Sequence, residues 1–239
     1  MYLQDKVLVV SGVGPDLGRQ IAVRGAAAGA DVVLAARTAS RLEKVAAEIK
    51  ELGRRALVVP TDMTVEADAE HLAEAAVAEF GKVDLDAVQA AFNNNVISAL
   101  RMTRLFVPAL AASSGAVVMV NSMVVRFSQR TMGPYKMAKA SLLAMAQSLA
   151  TELGPQGIRV NSVAPGHIWG ESLKWYFNYL ARKRGVDADE IYAETAANID
   201  LGRLPEPDEI ADAVLFLASP LARAITGQCL DVNCGEYHH

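Results

Sequence analysis

A tyrosine, a lysine and a serine have the types and spacing to do chemistry together. Tyr135 is followed four positions later by Lys139, and Ser122 lies thirteen positions before Tyr135. Residues four apart share one face of a helix, and an ammonium beside a phenol lowers a phenol pKa that starts near ~10. A serine hydroxyl from a neighbouring strand end could hold a substrate oxygen beside that phenol. Such a group could protonate a carbonyl during reduction or deprotonate an alcohol during oxidation.

The composition indicates a soluble protein with one sizeable core. The chain has 239 residues, of which 52% are hydrophobic and 21% charged, with a net charge of −4. That charge gives no reason to expect a nucleic-acid or membrane-surface partner. Cys229 and Cys234 are too few and too close for a disulfide framework or a zinc site, so no metal is expected. We expect a cytoplasmic protein, because the N-terminus lacks signal-peptide features and no apolar run reaches the ~18 residues of a membrane span.

Strand-like and helix-like patterns alternate along the whole chain. Buried strands are predicted over 6–10, 30–35, 56–59, 116–120, 158–163 and 228–232. Helices are predicted over 17–28, 40–52, 66–80, 86–111, 135–153 and 207–218. This alternation predicts an α/β fold, a single Rossmann-like doubly wound parallel sheet with helices on both faces. We expect residues 1–239 to form one dinucleotide-binding and catalytic domain.

The first turn is typical of a dinucleotide site. Gly12 and Gly18 lie between a strand and a helix, where glycines let the backbone approach a pyrophosphate at a helix N-terminus. A carboxylate after the second strand would accept the ribose 2′-hydroxyl of NAD, but this chain has Arg37 and Thr38 there. An arginine suits a 2′-phosphate, so NADP(H) is favoured and NAD(H) remains possible; a solvated Arg37 is the alternative. Asp62, after the third strand, could meet an adenine edge or cap the next helix.

Five motifs in order resemble those of the short-chain dehydrogenase/reductase family, over nearly all of the chain. They are the glycine turn with Ser11 for the family's Thr, Asn95 as its helix Asn, Ser122 with Tyr135 and Lys139, the segment 159–166, and the C-terminal segment 225–233. The family's enoyl reductases use a wider Tyr–Lys spacing. The resemblance therefore implies hydride transfer between a nicotinamide cofactor and a carbonyl or secondary alcohol.

The resemblance also implies roles for individual residues. Tyr135 is the acid/base, Lys139 lowers its pKa and holds the nicotinamide ribose, Ser122 positions the substrate oxygen, and Asn95 anchors a proton-relaying water. The implied cofactor-binding residues are Gly12, Asp16, Leu17, Gly18, Arg37, Thr38, Asp62, Met63, Tyr135, Lys139, Pro165, Gly166 and Ile168. A homo-dimer or homo-tetramer is implied, paired through the helices at 86–111 and 135–153 and through the C-terminal strand.

Three features depart from the family pattern. Asp16 replaces the second glycine of the turn, where a carboxylate would repel a pyrophosphate. Gly170 stands where many members have a threonine that contacts the nicotinamide amide. After Leu85 the sequence is interpreted as entering a helix directly, without the family's fourth strand and loop of roughly 15–20 residues. Because a lost central strand would leave buried amides unpaired at ~1–3 kcal/mol each, we expect the protein to contain that segment in addition to these 239 residues.

Residues 167–205 are the most individual stretch, and the resemblance implies a mobile substrate lid there. Its aromatic residues either pack together or contact substrate, and a ligand-contacting lid would favour a bulky, apolar substrate. His167 is expected to be structural, since Tyr135 already fills the acid/base role. The alternative function is a nucleotide-binding protein with weakened or lost catalysis that acts as a sensor or assembly partner, which Asp16 and the missing strand favour. The set Asn95, Ser122, Tyr135 and Lys139 favours the enzyme.

Overall fold

The computed structural model describes residues 2–81, 85–89, 95–127 and 133–238. These residues form a seven-stranded sheet in the order β3-β2-β1-β4-β5-β6-β7, with every pairing parallel. The strands are β1 Val7–Ser11, β2 Asp31–Ala36, β3 Ala56–Pro60, β4 Leu85–Gln89, β5 Ala116–Val120, β6 Arg159–Pro165 and β7 Cys229–Val232. The strand order reverses between β1 and β4, and in open parallel sheets ligands bind at the carboxyl ends of the strands beside such a reversal.

Helices cover both faces of the sheet, which confirms the predicted doubly wound fold. The helices are α1 Leu17–Ala27, α2 Ala39–Glu51, α3 Glu66–Phe80, α4 Asn95–Ser113, α5 Gly133–Leu153, α6 Glu171–Arg184, α7 Ala188–Ala196 and α8 Pro207–Ala218. One core cluster joins α1, α2 and α8 to the sheet, and the other joins α3, α4 and α5. All residues of β1 and β5 are buried, as expected for parallel strands packed on both faces.

The fourth strand is present, and the sequence prediction for this region was wrong. β4 pairs with β1, where Leu85 lies opposite Leu8, and with β5, where Leu85 lies opposite Ala116. Helix α4 begins at Asn95 instead of Asp86. The five-residue segment Leu-Asp-Ala-Val-Gln is too short to distinguish strand from helix by its period, and hydrogen bonding to two neighbouring strands decides the outcome. The protein therefore needs no additional residues to complete the centre of its sheet.

The helices α6 and α7 form a small unit with its own core. Trp169 contacts Phe177 and Tyr192, with ring centroids 5.5 and 4.6 Å apart. On the outer side of α6, three aromatic side chains are between 46% and 70% exposed, namely Trp175, Tyr176 and Tyr179. The aromatic stripe in the sequence therefore divides into a packed group and a solvent-facing group.

One helical window in the described part of the chain has the length and composition of a membrane span. The segment Val96–Ser113 has a mean hydropathy of 1.3 over 18 residues, and 33% of the window is buried. The sequence analysis did not anticipate this window. A core helix of a soluble protein can pass the same test, so the window is weak evidence for a membrane span.

Candidate active site

Ser122, Tyr135 and Lys139 converge beyond the carboxyl end of β5. Ser122 lies two residues after β5 and caps the short 3₁₀ helix Met123–Val125 by accepting a hydrogen bond from the amide of Val124 at 3.3 Å. Tyr135 and Lys139 lie in the first two turns of α5. The Ser122 hydroxyl is hydrogen-bonded to the Tyr135 phenol. The ammonium of Lys139 lies 5.7 Å from the centroid of the Tyr135 ring and donates to the carbonyl of Val120 at 2.9 Å.

Burial controls the protonation of this group. It raises the pKa of Tyr135 above its ordinary value, and the hydrogen bond from Ser122 opposes that rise. Burial lowers the pKa of Lys139 to about 8. The lowering of the phenol pKa by Lys139 that the sequence suggested stays a prediction. Tyr135 is thus a protonated phenol at neutral pH, in the form that donates a proton to a carbonyl.

Replacing Lys139 with methionine is expected to stabilise the protein at pH 7 by about 2 kcal/mol. The lowered pKa corresponds to ~3 kcal/mol of unfavourable burial, offset by ~1 kcal/mol for the lost hydrogen bond to Val120. Between pH 8 and 10.5 the unfolded chain binds more protons at Lys139 than the folded chain, so the wild type gains stability as pH rises. The advantage of Lys139→Met in urea unfolding should therefore shrink towards pH 10. The exposed Lys183→Met is the control, and a difference independent of pH would contradict the prediction.

The glycine turn leaves a helix N-terminus open to an anion. Gly12 has φ +82°, a conformation that favours glycine, and its amide donates to the carbonyl of Ala35 at 2.8 Å. Asp16 is the N-cap residue of α1, but its side chain makes no capping hydrogen bond there. Leu17 and Gly18 are buried in the first turn of α1. The amides at the start of α1 can therefore serve a pyrophosphate, so this turn fits a dinucleotide.

A basic cavity lies between the starts of α1 and α2. Its volume is about 360 Å³, and it is lined by Gly14, Pro15, Arg19, Thr38, Ser40, Arg41, Lys44, Val45 and Glu48. Arg19 is paired with Glu48 across it. The first turn of α2 has no acidic residue, although helix N-termini usually favour one. The sequence analysis missed Arg41 and Lys44. Their spacing of three residues, shortly after the second strand, was the signal that both cations lie on one face of α2.

Arg37 and Asp62 lie near each other at the ends of β2 and β3. Arg37 is exposed, and its charge contributes to lowering the pKa of Asp62. The main cause of that lowering is the hydrogen bond that the Asp62 carboxylate accepts from the amide of Thr64 at 3.0 Å. Asp62 is not the cap of α3, because Val65 occupies the N-cap position. Met63 follows as a partly buried residue against the core of α3 and α4.

The carboxyl end of β6 meets a C-terminal segment that the sequence analysis did not include. Pro165 is the last residue of β6, the amide of Gly166 donates to Val232 at 3.1 Å, and Ile168 packs against the core. The Glu236 carboxylate contacts the ring of His167 and accepts from its amide at 3.0 Å. This pairing agrees with the structural role predicted for His167.

The same C-terminal segment reaches the loop after Ser122. The ring of Tyr237 lies 5.6 Å from that of Phe127, and Arg126 forms a largely buried ion pair with Asp231 at 3.1 Å. These partners are more than 100 positions apart, so no local pattern could have indicated them. Asn95 is the first residue of α4, and its side chain lies outside what the structure describes.

Known proteins resemble this chain over nearly its whole length. A family model described as enoyl-(acyl carrier protein) reductase matches residues 12–95 and 83–237. The 7alpha-hydroxysteroid dehydrogenase of Escherichia coli K12 is 31% identical over 253 aligned positions, covering 98% of this chain and 95% of that protein. Those 253 positions exceed the 239 residues here by 14, so the relative has at least 14 residues without a counterpart in this chain.

Solved structures of similar proteins contain nicotinamide cofactors. The L-sorbose reductase of Gluconobacter frateurii, complexed with NADPH and L-sorbose, has a TM-score of 0.94 and 27% identity, covering 99% of this chain and 98% of that one. A 7 alpha-hydroxysteroid dehydrogenase complexed with NADH and 7-oxo glycochenodeoxycholic acid has a TM-score of 0.86 and 29% identity, covering 98% and 94%.

Proposed function

The chain belongs to the short-chain dehydrogenase/reductase family of NAD(P)-dependent oxidoreductases, and on that premise we propose that it interconverts a carbonyl and a secondary alcohol with Tyr135 as the acid/base. The observation that carries the proposal is the hydrogen bond between Ser122 and Tyr135 beside the buried Lys139. A proton donor and a second hydroxyl at one point can both bind a single carbonyl oxygen. Such an arrangement stabilises the alkoxide that forms when a hydride reaches the carbonyl carbon.

Each residue has a distinct part in the proposed reaction. The nicotinamide supplies or accepts the hydride. Ser122 holds the substrate oxygen, and Tyr135 gives its proton to that oxygen during reduction or removes it during oxidation. Lys139 holds the ribose hydroxyls of the cofactor and returns the proton, with Asn95 holding the relay water. The first-turn residues Gly12, Leu17 and Gly18 receive the pyrophosphate at the start of α1.

The non-catalytic alternative has lost both observations that favoured it. The fourth strand is present as β4, between β1 and β5. The carboxylate of Asp16 hydrogen-bonds to the start of α6 at 2.9 Å and does not cap α1. Neither feature now separates this chain from an active enzyme.

We propose that NADP(H) is the preferred cofactor. Arg37 and Thr38 follow β2 where an NAD-specific site would place a carboxylate. The adjacent cavity adds Ser40, Arg41 and Lys44, which can all donate to a phosphate. Asp62 and Met63 would lie along the adenine, while Pro165, Gly166 and Ile168 would contact the nicotinamide end.

The substrate proposed is a bulky, predominantly apolar small molecule that carries a ketone or secondary alcohol. The ring of Phe127, five residues after Ser122, packs against the ring of Tyr237. The two rings would form an apolar wall of the site. The segment 167–205 would close over it as a lid on the single 1–239 domain. The 7alpha-hydroxysteroid dehydrogenase relative and the similar solved structure that contains 7-oxo glycochenodeoxycholic acid are consistent with such a substrate.

We also propose a cytoplasmic homo-dimer or homo-tetramer that pairs through α4 and α5. Ile97 is 64% exposed and Met137 is 70% exposed. Ala140, Ser141 and Ala144 are exposed small residues on α5 that allow close approach. An apolar α4 that is only one-third buried favours a partner protein surface. A monomer mass by light scattering at micromolar concentration would contradict this proposal.

A panel of carbonyls and alcohols tests the proposed reaction directly. Cyclic apolar ketones, ketoses and enoyl thioesters would be assayed with NADPH and NADH, and secondary alcohols with NADP and NAD. We expect reduction of apolar ketones with NADPH and no reduction of the enoyl thioesters. Cofactor binding by calorimetry without turnover of any carbonyl or alcohol would contradict the enzyme and favour a binding protein.

A further inference from the structure

The carboxylate of Asp16 joins the glycine turn to the start of helix α6. Its Oδ1 accepts a hydrogen bond from the amide of Glu171 at 2.9 Å. Its Oδ2 accepts from the amide of Ser172 at 3.3 Å and from the hydroxyl of Ser172 at 3.2 Å. These are amides of the first turn of α6, which have no acceptor within their own helix. Asp16 therefore caps a helix that begins 155 positions further along the chain.

Gly170 is fitted to this contact. It is the N-cap residue of α6 and makes no side-chain cap of its own. Its φ of −103° and ψ of 178° are open to any residue, so the backbone conformation does not require glycine. A Cβ atom at this position would lie 2.9 Å from Cγ of Asp16, closer than side-chain carbons approach one another. The absent side chain at 170 makes room for the carboxylate that caps the helix.

We infer that Asp16 is a positioning residue that fastens the N-terminal end of α6 to the cofactor turn and so holds the substrate lid. The inference rests on the proposed function in one respect, namely that residues 167–205 form the substrate lid. A negative charge at a helix N-terminus is stabilising, and here two amides and a hydroxyl share it. This contact fixes the position of α6 relative to the turn that would receive the cofactor. It would thereby align the substrate with the cofactor's hydride.

This contact also explains how the turn tolerates a carboxylate. The sequence suggested that Asp16 would repel a pyrophosphate. In the structure its charge is directed to the N-terminus of α6, while the N-terminus of α1 keeps its amides without a side-chain cap. Asp16 and Gly170 are the two residues that depart from the family pattern, and they touch each other. A single matched pair therefore accounts for both departures.

Hydrogen–deuterium exchange tests the contact without any need for activity. In Asp16→Ala, the amides at the start of α6 should exchange about 3- to 30-fold faster, the range of a lost N-cap. Asp16→Asn keeps an acceptor oxygen and should remain within about threefold of wild type. Calorimetry should give an NADPH dissociation constant changed by less than about threefold, while the KM for the carbonyl substrate rises and kcat changes less. Tighter NADPH binding with unchanged exchange would show that Asp16 only repels the pyrophosphate and would overturn the inference.

A double-variant cycle distinguishes loss of the contact between Asp16 and α6 from a general loss of stability. Gly170→Ala should speed exchange at the start of α6, because the added methyl group displaces Asp16. In the Asp16→Ala background there is no carboxylate to displace, so Gly170→Ala should add less than about threefold. Equal effects of Gly170→Ala in both backgrounds would overturn the inference. If the protein reduced no carbonyl at all, the proposed function alone would fail. The exchange data would still show whether Asp16 caps α6.

Discussion

Replacing Tyr135 with phenylalanine should lower turnover by about 10²–10⁴-fold and leave folding and cofactor affinity nearly intact. The substitution removes one oxygen, the atom that would exchange a proton with the substrate. It raises the barrier by roughly 3–5 kcal/mol, since each tenfold loss in rate corresponds to about 1.36 kcal/mol. Ser122 keeps its hydrogen bond from the amide of Val124, so the loop at the site should not rearrange.

The comparison requires an exposed tyrosine and a separate measurement of binding. Tyr2→Phe changes the same group outside the proposed lid, where the side chain is 44% exposed, and should retain full activity. Steady-state rates on the best ketone of the panel give turnover, and calorimetry gives the dissociation constant of NADPH. The acid/base assignment would be wrong if Tyr135→Phe kept a rate within about tenfold of the wild type.

Replacing Arg37 with alanine should weaken NADPH binding by about 1.5–3 kcal/mol, or roughly 10- to 150-fold, and NADH binding much less. The two cofactors differ only in the 2′-phosphate, so a residue that contacts this group changes one affinity selectively. Arg37 is exposed at the end of β2 next to the basic cavity, so its removal should leave the fold unchanged. Calorimetric titration of both cofactors into both proteins measures the effect.

Lys50→Ala at the other end of α2 is the matched control. It removes one positive charge from an exposed position nine residues beyond Arg41, or about 13 Å along the helix, which exceeds the ~10 Å screening length at 0.1 M salt. A general electrostatic effect of the lost charge would lower the affinity of Arg37→Ala for both cofactors, whereas Lys50→Ala should change neither affinity. Equal losses for NADPH and NADH in Arg37→Ala would contradict recognition of a 2′-phosphate by this residue.

The sequence determined those features whose signal is local. Buried parallel strands are short apolar runs, as in β1 and β5, and their helices have the 3.6-residue period, so the doubly wound fold follows from their alternation. The spacing of four between Tyr135 and Lys139 places both on one face of α5 by helix geometry alone. The glycine turn indicated a dinucleotide because its position between a strand and a helix is itself local information.

The tertiary structure decided the features that depend on which segments meet. The run Leu85–Gln89 is a strand because β1 and β5 bind it on both sides, and five residues carry too little pattern to show this. The pKa of Lys139 depends on burial that its neighbours in sequence do not reveal. Asp16 looked like a defect in the turn until α6 supplied its hydrogen-bond donors from 155 positions away. Local sequence sets the period and conformation of each element, whereas the charge and contacts of a side chain depend on the distant segments packed around it.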